Sequence, residues 1–319
     1  MNLTSPQVFE VEEVACDLCG ATASTALYTL TDIVHQLPGE FTLRRCAACG
    51  LIYLSPRPTP RSIGNYYPPD YTPYRPPIEQ ERFALMRYMR RRKLIKRRTL
   101  IEKYSGLQQG RILDVGCATG LFLHEMQSAG WEAGGVEPIQ SAAEFAQTHF
   151  GLRVFQGMLS EAPFEARSFD AITFWDVLEH TFSPKAELLH AARLLKPGGL
   201  IAINVPNWDS FDRRPFGPNW QGYDPPRHLY VFARQTLTEF LVQTGFQVVD
   251  WVCFMPGFFT WIVSVQRWLV TAHPAWTRPV MRFLMFPGVR LLFEPWFALM
   301  NARRTAPVIS VFAQRVNDR

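Results

Sequence analysis

The chain has 319 residues, of which 47% are hydrophobic and 19% are charged. This length suits one α/β domain with additions, or two domains, and the apolar content excludes a globally disordered chain. The formal net charge of +5 is unevenly spread, because residues 81–103 contain ten Arg or Lys against two Glu. The basic excess is therefore local, and an acidic partner is expected to bind at that segment.

The amino terminus and the cysteines indicate a reducing compartment. Residues 1–13 have neither a basic region nor an apolar core, which predicts that there is no signal peptide and that the location is cytoplasmic. The chain has only six cysteines, and four of them form two C-x-x-C pairs, a pattern typical of metal binding rather than of disulfides.

The two cysteine pairs predict a structural zinc site in a module of residues 1–55. A glycine follows each pair, and each turn can point two thiolates at one ion, so that two pairs complete a tetrahedral site without an open position. Residues 26–30 and 40–44 alternate like short ribbon strands, while Cys117 and Cys253 are expected to be small buried hydrophobes. The predicted ligands are Cys16, Cys19, Cys46 and Cys49.

Residues 56–104 are predicted to form a proline-rich connector and then a basic helix. The prolines of 54–60 and 66–74 favour an extended chain without regular structure, whose tyrosines either pack on the main domain or lie over a substrate entrance. Residues 82–104 lack Pro and Gly and carry an apolar stripe among basic side chains. This helix can pack beside the core with a solvated face, lie on an anionic membrane or contact nucleic acid, the last being the least favoured.

A glycine turn between a strand and a helix is the clearest sign of ligand binding. Residues 111–115 predict a buried strand and residues 121–130 a helix, and the sequence DVGCATG joins them. The glycines permit a sharp turn and a close approach of the helix start, whose free N–H groups can meet a carboxylate or phosphate. The next strand, 131–136, ends in Glu137, which can accept both hydroxyls of a ribose. The candidate residues of the turn are Asp114, Gly116, Ala118 and Gly120.

At this motif the chain resembles the class I S-adenosylmethionine-dependent methyltransferases. Their acidic-x-G-x-G-x-G motif is matched by DVGCATG, with Ala118 in place of the middle glycine, and the family is also matched by DVLEH at 176–180 and LLKPGGLIAINVPN at 194–207. The resemblance implies S-adenosylmethionine as cofactor and places residues 157–159 against its adenine. Some members of this family also carry an amino-terminal zinc ribbon.

The alternation of strands and helices through 105–319 predicts a doubly wound, mostly parallel, seven-stranded sheet. With the zinc ribbon and two insertions, 207–230 and 255–305, this is a Rossmann-like methyltransferase fold. Strands three to seven are expected at 152–156, 169–175, 200–205, 246–252 and 307–314. Ligands bind at the carboxyl ends of such strands. Besides the turn and Glu137, the candidates at these ends are Gly157, Met158, Leu159, Trp175 and Asp176.

Two histidines are the candidates for catalysis. His180 follows strand four, close to the expected methyl group, and His228 lies in the aromatic insertion 207–230. A base is needed only if the acceptor must lose a proton. The chain also resembles quinone-pathway O-methyltransferases that bind metal through an acid-x-x-Glu-His sequence, which implies that Asp176, Glu179 and His180 can hold a divalent metal. A purely structural role for these side chains stays open.

The insertion 255–305, between strands six and seven, is rich in aromatic residues. Pro, Gly or charge interrupts each apolar run before about 20 residues, so neither run is expected to span a membrane. The pattern favours helices lying at a membrane face, or a lid over a lipid-like acceptor, with a homodimer surface or internal packing as the alternative.

The predicted function is transfer of a methyl group to an O, C or N atom of a small-molecule or lipid-linked acceptor. Two alternatives stay open. Ribosomal RNA methylation predicts salt-sensitive RNA binding through residues 87–98. A non-catalytic zinc-ribbon binding protein predicts no affinity for S-adenosylmethionine.

Overall fold

A seven-stranded sheet forms the centre of the protein. The computed structural model describes residues 9–33, 35–67, 84–254 and 257–316. The strands of this part of the chain are β1 (Val11–Glu12), β2 (Ser24–Leu30), β3 (Phe41–Cys46), β4 (Ile52–Leu54), β5 (Arg57–Pro58), β6 (Arg111–Val115), β7 (Glu132–Glu137), β8 (Arg153–Gln156), β9 (Phe169–Trp175), β10 (Leu195–Pro206), β11 (Tyr230–Val231), β12 (Phe246–Val252) and β13 (Val308–Arg315). The helices are α1 (Ala84–Ser105), α2 (Leu121–Ser128), α3 (Gln140–Phe150), α4 (Pro184–Leu194), α5 (Arg213–Phe216), α6 (Arg234–Gln243), α7 (Gly257–Ala272), α8 (Pro274–Leu284) and α9 (Pro287–Ala302).

The central sheet has the strand order β12-β13-β10-β9-β6-β7-β8. Its strands run parallel except β13, which is antiparallel to both of its neighbours. The strand order therefore reverses between β6 and β9, and the carboxyl ends of β6, β7 and β9 meet at one edge of the sheet, where ligands bind in such folds. The predicted mostly parallel, seven-stranded sheet is confirmed.

Helices cover both faces of this sheet because alternate residues of each strand point to opposite sides. In β9, Ile172 and Phe174 belong to an apolar core that includes residues of α4 and α6. Ala171 and Trp175 belong to a second core, which α1, α2 and α3 complete. The basic helix α1 thus contributes its last apolar turn to the main domain, although residues 82 and 83 of its predicted start lie outside the described residues.

Strand β10 begins earlier than predicted. Residues 196–199 were expected to end α4, with a strand from 200, but the strand starts at Leu195, which pairs with Phe169. Leu200 then pairs with Ala171, so the intervening Lys-Pro-Gly-Gly residues bulge out of the ladder. Because of this bulge, the strand can include these four residues, although their Pro and Gly are typical of the end of a helix. The start of α4 matches the prediction, since Ser183 caps it and accepts a hydrogen bond from the Ala186 N–H at 3.2 Å.

The amino-terminal ribbon shares its sheet with the insertion 207–230. Strands β2, β3 and β4 form an antiparallel sheet whose fourth strand is β11, with Tyr53 paired to Tyr230. Trp220 and Tyr223 of the insertion join the apolar core of the ribbon, beside Phe41. The module was predicted to end at residue 55. In the structure its sheet and its apolar core also include residues of the insertion 207–230.

The first proline-rich stretch is not the irregular connector that was predicted for 54–60. Its β5 pairs antiparallel with β1, and a short 3₁₀ helix follows at Ile63–Tyr66. Proline is compatible with a strand at a sheet edge, where its missing N–H is not needed by a neighbour. Residues 68–74 of the second proline-rich stretch lie outside the described residues.

The apolar insertion consists of α7, α8 and α9, between β12 and β13 as predicted. Its inner side chains form a core of their own that includes Phe258, Ile262 and Phe297. Met255 and Pro256, at the predicted start of the insertion, lie outside the described residues. In the part of the chain that the structure describes, every helix is too short or too polar to cross a lipid bilayer.

Candidate functional site

The glycine turn after β6 and the acid at the end of β7 lie in direct contact. Gly116 has φ +68°, and a Cβ there would lie 2.6 Å from Val177 Cγ2, so the turn requires glycine. Ala118 also has a positive φ, and its N–H donates to Glu137 Oε2 at 2.9 Å. Glu137 Oε1 accepts from the Ile139 N–H at 2.9 Å. Burial raises the pKa of this carboxyl above its ordinary value, and the two backbone N–H groups act against that shift.

Packing within the fold requires glycine at position 120, and its predicted role in the approach to a ligand stays a prediction. It precedes α2 with φ +78°, and a Cβ there would lie 2.5 Å from Leu152 Cδ1 and 2.9 Å from Ala146 Cβ. Because glycine has no side chain, the start of α2 can pack directly against Ala146 of α3 and against Leu152, which follows α3. The left-handed φ adds a second reason for glycine at this position.

The other predicted cofactor residues flank Glu137. Asp114 is buried in β6, where its Oδ1 accepts a hydrogen bond from Thr173 Oγ1 at 2.6 Å. Burial raises the pKa of Asp114 to about 7, against the lowering effects of Thr173 and the Arg97 charge. The N–H of Gly157 donates to the Glu137 carbonyl at 3.2 Å, Met158 is exposed and Leu159 is buried. The edge formed by the carboxyl ends of β6, β7 and β8 thus brings these predicted residues together.

Arg97, which the sequence did not single out, closes the same edge from α1. Its guanidinium lies 4.5 Å from the centre of the Trp175 ring, and its Nη2 donates to Asp176 Oδ2 at 3.1 Å. Asp176 has φ +61°, and its other oxygen accepts from the Asn204 side-chain amide. Asn204 Oδ1 in turn accepts from Ser310 Oγ at 2.6 Å. In the sequence, Asn204 could have been recognised as a polar residue within an apolar strand. Arg97 could not, because the sequence does not distinguish it from the basic residues around it.

His180 and His228 lie together, with ring centres 4.7 Å apart. His180 Nδ1 is 2.9 Å from the Arg227 carbonyl oxygen and 3.0 Å from Tyr67 Oη, and His228 Nδ1 is 2.9 Å from the Gly222 carbonyl oxygen. Because a carbonyl can only accept, Nδ1 carries the hydrogen in both rings and Nε2 is unprotonated. Burial, helped by the second imidazole, lowers the pKa of His180 to about 3. Burial also lowers the pKa of His228, so both rings are neutral near pH 7.

Glu179 completes a donor set with the two histidines. Its side chain is buried, and its Oε2 has no hydrogen-bond partner among the described residues. One ligand atom from each of Glu179, His180 and His228 lies within 4.8 Å of the others. Burial and the nearby Asp176 raise the Glu179 pKa well above its usual range. Two neutral imidazoles and one carboxyl group form a set that suits a divalent transition metal.

The predicted metal set therefore changes by one member. The sequence grouped Asp176 with Glu179 and His180, but the Asp176 carboxylate is held by Arg97 and Asn204. His228, from the insertion, takes its place in the cluster. The 48 positions between His180 and His228 explain why sequence spacing could not show this.

A buried ionic cluster holds the loop that carries His228. Both carboxylate oxygens of Asp32, in the ribbon, accept from Arg227 at 2.7 and 3.1 Å, and both oxygens of Asp224 accept from it at 2.9 Å. Although burial raises the pKa of Asp224, the hydrogen bonds and charge of Arg227 bring it well below its usual range. The Arg227 carbonyl is the acceptor for His180, so the ribbon is connected to the histidine pair through one residue.

The four ribbon cysteines form a compact cluster. The Sγ atoms of Cys16 and Cys49 are 3.4 Å apart, and those of Cys19 and Cys46 are 3.5 Å apart. A Zn–S bond of about 2.3 Å in a tetrahedron places sulfurs about 3.8 Å apart, so this cluster fits a zinc ion closely. The four thiolates would fill its coordination shell and hold β2, β3 and β4 together.

Residues 86–250, slightly more than half of the chain, match the family model described as a methyltransferase domain. The chain belongs to this methyltransferase family. The match covers most of α1 and the chain from β6 into β12, including the glycine turn, Glu137 and both histidines.

Curated relatives match a shorter stretch. The ubiquinone biosynthesis O-methyltransferase of Azoarcus sp. strain BH72 is 31% identical over 113 residues, which cover 34% of this chain and 48% of the relative. The protein of the same description from Burkholderia pseudomallei strain K96243 is 26% identical over 162 residues, 47% of this chain and 70% of the relative. The chain thus spans about half the length of the first of these relatives.

Solved structures of similar shape include two methyltransferases. The Burkholderia thailandensis 1,6-didemethyltoxoflavin-N1-methyltransferase has a TM-score of 0.46 at 16% identity, covering 70% of this chain and 78% of its own. The Haemonchus contortus phosphoethanolamine N-methyltransferase 2 has a TM-score of 0.47 at 17% identity, covering 70% of this chain and 53% of its own.

Proposed function

We propose that the protein transfers the methyl group of S-adenosylmethionine to a hydroxyl oxygen of a small-molecule or lipid-linked acceptor. The observation that carries this proposal is the neutral histidine pair beside buried Glu179, just past the end of β9. A hydroxyl acceptor must lose a proton during methylation, and this cluster offers groups that can accept the proton or polarise the O–H bond. The curated relatives are named O-methyltransferases, which supports oxygen as the acceptor atom.

The donor would lie along the edge formed by β6, β7 and β9. Each oxygen of Glu137 accepts one backbone N–H and retains a further lone pair, so the carboxylate can also accept the two ribose hydroxyls. Residues 157–159 border the adenine side, and the stacked pair of Arg97 and Trp175 forms a wall opposite. When bound, the sulfonium supplies a methyl group that a nucleophile aligned with the S–C bond can take.

The acceptor hydroxyl would lie against the histidine pair. Nε2 of His180 or His228 is unprotonated and can take the proton directly. A divalent cation held by Glu179, His180 and His228 would lower the hydroxyl pKa instead. Dialysis against EDTA distinguishes the two: loss of activity with recovery on adding Mn²⁺ indicates the cation, and unchanged activity indicates the imidazole base.

Calorimetry with S-adenosylhomocysteine and transfer of labelled methyl groups to catechol test the proposal. His228→Ala and Glu179→Gln are expected to reduce kcat by about 10² or more, because the first removes an imidazole base and both remove a donor of the cluster that would hold a cation, while the affinity for S-adenosylhomocysteine stays the same. A protein that methylates benzylamine but not catechol would contradict oxygen as the acceptor atom. Absence of S-adenosylhomocysteine binding would instead support the non-catalytic alternative.

Ribosomal RNA methylation stays the second candidate, and the basic helix argues against it. Arg97 is buried against Trp175 and Asp176, and Arg98 Nε lies 3.1 Å from Glu125. Part of the basic surface that RNA would need is therefore used inside the protein. Tight, salt-sensitive binding of ribosomal RNA in a filter assay would restore this candidate.

A further inference from the structure

The helices of the apolar insertion expose an unusual amount of hydrophobic surface. Among the described residues, nineteen large hydrophobic side chains are exposed, and ten of them lie between residues 268 and 299. Scattered exposed hydrophobics are ordinary, but a cluster of this kind marks an interaction surface. The cluster holds every exposed Trp and Phe of the described chain, namely Trp268, Trp276, Phe283, Phe286 and Trp296.

Helix α9 carries apolar side chains both on its buried side and on its exposed side. Its buried side packs into the core of the insertion through Val289, Phe293 and Phe297, and Met300 packs into the core of the main domain. Its outer side carries Leu291, Leu292, Trp296 and Leu299, of which Leu292 is 75% exposed. Leu292, Trp296 and Leu299 follow the three- and four-residue spacing of a single helix face, and Leu291 borders it. A helix that met only water there would carry polar residues on this face, so the outer side is built to meet an apolar medium.

Basic residues outnumber acidic ones in the insertion, and two of them lie beside this apolar face. Residues 257–304 contain six Arg and one Glu, although Arg267 is buried and Arg304 pairs with Asp250. Arg278 and Arg282 are exposed, and with Phe283 and Phe286 they line an open groove of about 590 Å³. Arginine pairs with phosphate through its planar guanidinium while its stem covers apolar surface, and tryptophan favours the boundary between headgroups and acyl chains.

We propose that the outer face of α8 and α9 docks onto an anionic lipid bilayer, with the helices lying in its interface. The aromatic and leucine side chains enter the headgroup boundary, and Arg278 and Arg282 contact lipid phosphates. The charge complementarity with anionic lipid favours this partner over a second copy of the chain, whose matching face would be equally basic.

The docked helices connect to the candidate site through α7. Ser264 Oγ accepts from the Gln221 N–H at 2.9 Å, and Arg267 Nη1 donates to Gln221 Oε1 at 3.3 Å. Gln221 precedes Gly222, whose carbonyl holds His228. Helix α7, which packs on α8 and α9, therefore connects the docked face to the loop of the histidine pair, and we expect a lipid-linked acceptor to reach the site from this side. Only this last step depends on the proposed function, since docking itself needs neither donor nor acceptor.

Flotation of the full chain with vesicles tests the docking. Binding is expected to phosphatidylcholine vesicles that contain phosphatidylglycerol, and to be much weaker with phosphatidylcholine alone. Arg278→Gln with Arg282→Gln is expected to reduce binding to the anionic vesicles roughly 25-fold, about fivefold for each lost arginine charge. Leu291→Ser with Leu292→Ser is expected to reduce binding to both vesicle types by on the order of tenfold, because less apolar surface enters the interface.

Two matched controls keep the test decisive. Leu189→Ser with Val242→Ser removes exposed hydrophobics from α4 and α6, and Arg193→Gln removes an exposed arginine from α4. Neither change is expected to affect flotation, and calorimetry with S-adenosylhomocysteine confirms that each variant is folded. Equal flotation of the α8–α9 variants and the wild type would overturn the proposal. A dimer in sedimentation velocity that only Leu291→Ser with Leu292→Ser dissociates, without loss of lipid binding, would assign the face to a subunit contact instead.

Discussion

Arg97 differs from its basic neighbours because it is buried. It stacks on Trp175 and pairs with Asp176, whereas Arg98 bridges Glu102 and Glu125 in a more exposed position. A cation over a tryptophan face, shielded from water, contributes more than a surface ion pair. Arg97 therefore forms part of the wall proposed for the donor, and Arg98 mainly joins α1 to α2.

The pair Arg97→Gln and Arg98→Gln tests this difference. Arg97→Gln is expected to weaken S-adenosylhomocysteine binding at least tenfold, because Trp175 and Asp176 lose the group that holds them. Arg98→Gln removes the same charge from the same helix and is expected to change the affinity less than twofold. Calorimetry gives both constants, and equal effects would mean that helix charge, not the buried contact, matters.

Asp212 predicts a pH dependence of stability. Burial raises the pKa of its carboxyl to about 6, while the unfolded chain has the ordinary value of about 4. Between these values the unfolded chain has released a proton that the folded chain retains, so the free energy of unfolding falls as the pH rises and the loss is complete above about pH 6. Asp212→Asn is expected to stabilise the protein by about 3 kcal/mol at pH 8 and to have little effect near pH 4.

Urea unfolding of this variant at both pH values measures the effect. The side chain of Asp212 makes no capping hydrogen bond to α5, so the substitution removes charge without removing a cap. Glu144→Gln, at an exposed carboxylate of α3, is the control for loss of one negative charge. Equal stabilisation at both pH values would show that the carboxyl is not the cause.

The strands that were predicted best are those whose pattern is local. β6, β9 and β12 have the predicted bounds because each is a continuous apolar run or a regular alternation between turn residues. β5 and the start of β10 were missed because pairing with a distant strand overrode the proline and glycine signals. The same reason applies to the site: the glycine turn and Glu137 follow local rules, whereas Arg97, Asp32 and the grouping of His228 with Glu179 depend on contacts between distant segments.

The ribbon acts on the histidine pair through Asp32. Asp32→Asn is expected to reduce kcat about tenfold or more, because Arg227 loses a buried partner and its carbonyl no longer holds His180 in place. The affinity for S-adenosylhomocysteine is expected to stay within twofold, since the donor edge is made by other residues. Glu40→Gln is the control, because it removes an exposed carboxylate from the same ribbon. A change in donor affinity with unchanged kcat would contradict this positioning role.

At the scale of the whole molecule, the shared sheet predicts a single unfolding transition. β11 continues the ribbon sheet, Trp220 completes the ribbon core, and Arg227 is bonded to Asp32. Ribbon and central domain are therefore expected to unfold together in scanning calorimetry. Cys46→Ser, which removes one sulfur of the four-cysteine cluster, is expected to lower the midpoint of that one transition rather than to produce an earlier one. Two separate transitions in the wild type would show that the ribbon is an independent domain.

The ion pair between Asp32 and Arg227 joins positions 195 residues apart along the chain. Loss of either partner is costly, since without Arg227 two buried carboxylates lose their guanidinium, and without Asp32 the guanidinium loses one of its two buried carboxylates. Among descendants of this protein the two residues should be inherited or lost as a pair, and a lineage that discards the ribbon should also replace the arginine next to His228. Genomes in which the ribbon has become a separate gene should then encode two polypeptides that work only in complex.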